Sequence, residues 1–304
     1  MLRLISDNTT VKFIRLKTFS FSFSAILSVF AILSVLFIGL NFGIDFKGGI
    51  LLEVRTDNNI SISDIRSKVS NLNIGEISIQ EFGLKSDYLI RVERQNGADS
   101  AQQTAVDLLK GSLNNAFSDN IEYRRLEYVG PTVSKDLITD GIMAIFFAIL
   151  AMLAYIWFRF EFPFAIGAIV ALLHDIILTL GVFSLLGLEF NLSTVAAILL
   201  IIGYSMNDTV VVYDRIRENL RKFKKMELRD LLDKSINETL SRTINTTITT
   251  MLALGALYII GGQIISDFAF AMLWGIIVGT YSSIFIASTI LIYLNIRKTK
   301  ESES

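Results

Sequence analysis

Six stretches of this chain are long and apolar enough to cross a bilayer, and they restrict its fold more than any other feature: 20–40, 138–158, 164–186, 192–213, 244–262 and 268–293. A helix needs about 20 mostly apolar residues to traverse the hydrocarbon. Lipid offers no hydrogen bonds to the backbone, so each stretch must satisfy its own amides, which selects the α-helix. Only 19% of the residues are charged, against about 25% in soluble chains. The first stretch, "SFSFSAILSVFAILSVLFIGL", exceeds the apolar core of a signal peptide and lacks small-x-small cleavage chemistry, so it is expected to remain as an anchor.

Lys and Arg in short loops orient such a chain, because cytoplasmic loops carry them in excess. Arg3, Lys12, Arg15 and Lys17 precede span 1, and Arg159 lies in the turn between spans 2 and 3. Seven basic residues from Arg215 to Arg229 follow span 4, whereas "GLEFN" and "GGQIISD", after spans 3 and 5, carry none. The pattern predicts cytoplasmic residues 1–19 and 294–304, a cytoplasmic basic loop at 214–243, and an exterior, periplasmic segment at 41–135. A multi-pass protein of the bacterial inner membrane fits that distribution.

The exterior segment has the periodicities of a folded domain. "ILLEVR", "ISIQEF", "DYLIRVER" and "IEYRRLEYVG" read as strands, and "SDIRSKVSNL" and "SAQQTAVDLLKGSLNNAF" as helices. The order βαββαβ is that of a ferredoxin-like domain. It contains no nucleotide loop and no recognisable catalytic pair. With no cysteine and one histidine, thiolate chemistry, disulfides and histidine-rich metal sites are not expected. Neither a cofactor nor nucleic acid is expected either.

Ionisable groups within spans cost several kcal/mol unless they face a bundle interior or water, and so mark candidate function. His174 and Asp175 lie mid-span 3, and Asp208 lies in the cytoplasmic half of span 4. Helical geometry puts Tyr204 and Asn207 on the face of Asp208. Arg242 opens span 5 and heads a polar stripe with Asn245, Thr246 and Thr249. An Arg at a helix end is also ordinary anchoring. Beside a membrane carboxylate, the stripe could hold water and so a proton path.

Several motifs, in order along nearly the whole chain, resemble the SecF family, the smaller membrane subunits of the bacterial SecDF protein-export complex. They are "FGIDFKGG" (42–49), "YVGPTVSKDL" (128–137), "LLHD" (172–175), "IGYSMNDTVVVYDRIREN" (202–219) and "SRTINTT" (241–247). The resemblance implies six spans of RND-transporter type and a proton-coupled accessory role rather than an enzyme. It implies SecD, the SecYEG channel, YajC and exported unfolded polypeptides as partners. The family's intramembrane Asp falls on Asp208, its span 5 Arg on Arg242 and its "HD" pair on His174 and Asp175. Asn207 is then expected to orient Asp208, and Arg242 to balance its charge. Two other readings stay open: an RND-type exporter of lipid or small molecules, and an intramembrane aspartyl protease using Asp175 and Asp208.

Overall fold

The computed structural model describes residues 9–57, 60–82, 84–95, 99–117, 121–294 and 296. The expected cytoplasmic tail, 294–304, lies outside them apart from Leu294 and Ile296, as do residues 1–8 of the N-terminus. Six helices are long and apolar enough to cross a membrane: Phe13–Phe37, Val133–Arg159, Phe162–Leu186, Leu192–Lys222, Leu228–Ile260 and Ile265–Ile290, spans 1 to 6. The chain divides into two compact units, one of which holds most of the span residues.

In that helical unit, spans 3, 4 and 6 form the interior and spans 1, 2 and 5 the outside. Small residues let the inner helices approach closely. A Cβ on Gly279 would meet Ser205, one on Gly275 would meet Ile201, and one on Gly181 would meet Ala31. Such contacts suit helices in lipid, where apolar burial provides no drive for association.

Residues 214–243, expected as a basic loop, are largely helix. Span 4 runs on to Lys222 and span 5 begins at Leu228, leaving only Phe223–Glu227 between them. The cause is an apolar period beneath the charges: Val212, Tyr213, Ile216, Leu231, Leu232 and Ile236 are all buried. Polar ties join the two extensions. Asn219 Nδ2 donates to Ser235 Oγ (3.0 Å) and Glu238 Oε2 (2.7 Å), and Arg215 pairs with Glu238 (2.7 Å). The segment before span 1 ties to the same hairpin: Val11 N donates to Asn237 Oδ1 (3.0 Å), Asn237 Nδ2 to Val11 O (2.8 Å), and Ile14 N to Asp233 Oδ1 (2.8 Å).

The second unit contains β1 (Gly49–Thr56), α1 (Ile62–Val69), β2 (Ile77–Phe82), β3 (Leu84–Val92), α2 (Asp99–Phe117) and β4 (Ile121–Val129). Its sheet order is β2-β3-β1-β4, with antiparallel neighbours throughout. Ile50, Leu52 and Val54 alternate on one face of β1, as period 2 requires, opposite Val92, Ile90 and Tyr88 of β3. Ala105, Val106, Leu109 and Leu113 of α2, with Ile65 and Val69 of α1, close the core over that face. A Ser61/Asp64 capping box starts α1. "FKGG" enters β1 through two left-handed residues, Gly48 (φ 72°) and Gly49 (φ 124°). A side chain at Gly49 would strike the Val92 carbonyl, so glycine is required there.

On the opposite face, Arg55 donates to both oxygens of Asp87 at 2.5 and 2.7 Å. That hydrogen-bonded guanidinium holds the Asp87 carboxyl below its ordinary value. A depressed acid contributes stability above its unfolded pKa, about 3.9, and loses it as pH falls through the lower folded value. A soluble fragment of residues 43–133 is therefore expected to fold and to lose stability below about pH 4. Asp87→Asn should lower its neutral-pH stability and flatten that acid limb. Leu109→Ala, deleting a fully buried side chain, should cost about 2–5 kcal/mol in urea unfolding. A fragment unfolded by circular dichroism contradicts the self-contained core.

Candidate proton site in the membrane bundle

Polar groups are drawn together where spans 3, 4 and 6 meet. Asp175 is 1% exposed, and its oxygens accept from three side chains. Ser205 Oγ of span 4 (2.6 Å) and Ser282 Oγ of span 6 (2.8 Å) both reach Oδ2, while His174 Nδ1 lies 3.1 Å from Oδ1. Three donors on one carboxylate can offset the loss of water around a buried charge. When His174 donates from Nδ1, its buried Nε2 is left as an acceptor, and no described group reaches it.

The cluster extends through hydroxyls. Thr209 Oγ1 lies 2.8 Å from Ser283 Oγ, which donates to the Ser205 carbonyl (3.3 Å). Span 6 changes there to a π turn over Ser283–Ala287, and Ser288 Oγ bridges back to the Ser283 carbonyl at 2.8 Å. Such turns concentrate at functional sites. On the other side Tyr281 lies against the His174 ring at 6.1 Å, and its hydroxyl meets Ser24 Oγ of span 1 at 2.9 Å.

Asp208 is placed differently. It is 4% exposed, yet its Oδ2 has no hydrogen-bond partner among the described residues. No ion pair forms between it and Arg242 at 4.0 Å or less, although Arg242 is the cation whose field reaches it. Arg242, Asn245 and Thr249 are exposed on the outer side of span 5, and Asn207 is exposed on span 4. Asn207 makes no hydrogen bond to Asp208 among the described residues, so the expected orienting contact is absent. Its place is a groove with Tyr155 of span 2. Tyr204, on the expected face, reaches Thr250 Oγ1 at 3.4 Å.

The two carboxylates thus stand in separate settings: Asp175 saturated, Asp208 with a free oxygen. They share no hydrogen bond, so the arrangement is not the proton-sharing pair of aspartyl chemistry. Sequence reasoning missed Ser205, Ser282, Ser283 and Thr209. Three serines in the apolar run "YSSIFIAS" were the available signal.

Two family models match the chain. A model described as protein export membrane protein SecD/SecF, C-terminal, matches residues 109–297, and the SecD/SecF GG motif matches 33–60. The chain belongs to the SecD/SecF family. The protein translocase subunit SecF of Rickettsia rickettsii (strain Sheila Smith) is 48% identical over 292 residues, covering 95% of this chain and 94% of the relative. The SecF of Rickettsia prowazekii (strain Madrid E) is 48% identical over 299 residues, 98% and 95% of the two chains. The crystal structure of SecDF, a translocon-associated membrane protein, from Thermus thermophilus superposes with TM-score 0.85 at 32% identity, over 97% of this chain and 40% of that one. SecDF in the super-membrane-facing form gives TM-score 0.71 at 32% identity, over 100% and 41%. This chain therefore spans about two fifths of the solved SecDF chains, and it is a multi-pass membrane protein of the SecF kind. The matched GG motif contains Gly48 and Gly49, whose backbone geometry is described above.

The Asp175 cluster yields a stability prediction. Asp175→Ala strands Ser205 and His174, each unsatisfied buried donor costing about 1–3 kcal/mol, whereas Ser282 keeps the Gly279 carbonyl at 3.1 Å. Asp175→Asn keeps one acceptor and should be milder. Thermal unfolding in detergent should rank wild type above Asp175→Asn above Asp175→Ala. Equal stability for the alanine variant would remove Asp175 as the anchor of the bundle.

Proposed function

We propose that this chain works with a SecD partner in the inner membrane, using the proton-motive force to assist export of unfolded polypeptides through SecYEG, with YajC as a further associate. In this reading both termini are cytoplasmic. The β-α-β-β-α-β unit is a ferredoxin-like periplasmic domain. The observation that carries the proposal is Asp208, a carboxylate buried among spans with one oxygen unpartnered and a polar surface beside it.

Asp208 takes and releases the proton. Arg242 stays charged at physiological pH, so it attracts the ionised acid and releases the protonated one. That alternation couples proton occupancy to the contact between spans 4 and 5. Arg242, Asn245 and Thr249 line the side on which a partner and water complete the path. His174 and Asp175 lie on its inner side, where Asp175 fixes Ser205 one turn before Asp208. The partnership is supported by the exposure of these polar groups on spans, since a polar face in lipid is costly until covered. A lipid or small-molecule exporter would use an apolar cleft in the periplasmic domain. The groove described there, about 570 Å³, carries the charged Lys68 and Asp107 and the polar Ser112 and Asn115 among its apolar lining.

Export into vesicles carrying the chain with its partner tests the assignment. Asp208→Asn should assemble normally and lose the stimulation produced by an imposed pH gradient, falling to the rate without a gradient. Arg242→Met should reproduce the defect. Full gradient stimulation in Asp208→Asn disposes of the proton-carrier role, and full stimulation in Arg242→Met uncouples the pair.

A further inference from the structure

Two grooves lie between spans 2 and 4. One, apolar and about 420 Å³, is bordered by Ala151, Met152 and Tyr155 of span 2 and by Gly203, Met206 and Val210 of span 4, with Asn207 alongside. The other, a basic mouth of about 470 Å³, is formed by Arg159 of span 2 and Asp214, Arg217, Arg221 and Lys222 of span 4, with Glu218. The two follow one another along the same helices. Tyr155 precedes Arg159, and Val210 precedes Asp214, by four residues, about 6 Å along each axis. The apolar groove is thus followed, about one helical turn on, by the basic mouth.

Charge at the mouth is unevenly compensated. Arg159 pairs with Asp214 at 2.8 Å, Arg217 lies 3.6 Å from Glu161, and Glu218 is taken by Arg215 at 2.6 Å. Arg221 and Lys222 are exposed and form no ion pair with a described residue. Beside the mouth, Trp157, Phe158 and Phe162 are exposed at 65%, 96% and 59%. Aromatic side chains in this position suit the level of lipid headgroups.

We infer that the cleft between spans 2 and 4 binds an anionic phospholipid, its phosphate held by Arg221 and Lys222 and one acyl chain lying along Gly203, Met206 and Val210. Charge complementarity selects a negative headgroup, since a zwitterionic one brings its own cation into a mouth that already has two to spare. An apolar groove one turn away along the same helices selects a lipid over a soluble anion, which would leave the groove empty. Basic pockets between membrane helices recognise anionic headgroups by the same physics. The site is separate from the Asp175 cluster and does not depend on proton coupling.

The test is native mass spectrometry of the chain purified with its partner, delipidated and offered equal phosphatidylglycerol and phosphatidylcholine. Wild type should retain phosphatidylglycerol roughly tenfold over phosphatidylcholine. Arg221→Gln with Lys222→Gln should bring the ratio close to parity. Lys224→Gln with Lys225→Gln removes the same charge outside the cleft and should leave the ratio unchanged. A Cβ at Gly203 meets nothing within 4 Å, so Gly203→Leu fills the groove without disturbing the helix and should reduce retention of both lipids. Parity in wild type overturns the site, whether the partner subunit fills the cleft or nothing does. An undiminished ratio in the Arg221/Lys222 variant, or an equal loss in the Lys224/Lys225 control, overturns the headgroup assignment. Unchanged retention in Gly203→Leu overturns the groove.

Discussion

Asp175 imposes the condition around which the inner helices are arranged. A carboxylate in an apolar bundle must be given donors or it destabilises the bundle by several kcal/mol. Here the donors come from two other helices, Ser205 on span 4 and Ser282 on span 6. The bonds require both helices to turn a chosen face inward and to lie close. Gly279 against Ser205 supplies the closeness, and the π turn after Ser282 adjusts the face that span 6 presents.

Once span 4 is oriented by Ser205, the position of Asp208 follows, because three residues along a helix is nearly one turn. Asp208 receives burial without a donor among the described residues, the reverse of Asp175. Two acids on neighbouring helices therefore have opposite electrostatic situations, one built to be satisfied and one left open. The polar stripe of Arg242, Asn245 and Thr249 faces outward.

Much of this was legible in the residues. Six apolar runs announced six membrane helices, and "ND" inside such a run announced Asp208. What misled was charge density: the residues after Tyr213 look like a loop because they are rich in Lys and Arg. Their apolar residues repeat with the helical period, and Ile216, Leu231 and Ile236 pack between the two extensions. Asp208 has no ion pair with Arg242 at 4.0 Å or less and no hydrogen bond to Asn207 among the described residues, for two different reasons. Asn207 and Asp208 are successive on one helix and so point about 100° apart, one exposed and the other buried, while a helical face does not show how far another helix holds Arg242.

By itself the sequence determined the elements and their order, since length, period and glycine chemistry act locally. A run of 20 apolar residues must be helical in lipid, and Gly48 and Gly49 must turn the chain into the first strand. Only the tertiary structure decided which polar atoms meet. Ser205 and Asp175 are 30 residues apart, and Ser282 and Asp175 are 107 apart. Their bonds depend on the rotation and separation of packed helices, set jointly by small-residue contacts such as Gly279 with Ser205. A hydrogen bond tolerates only a few tenths of an ångström in distance, whereas hydrophobic periodicity defines a helix face no more finely than a stripe about 100° wide.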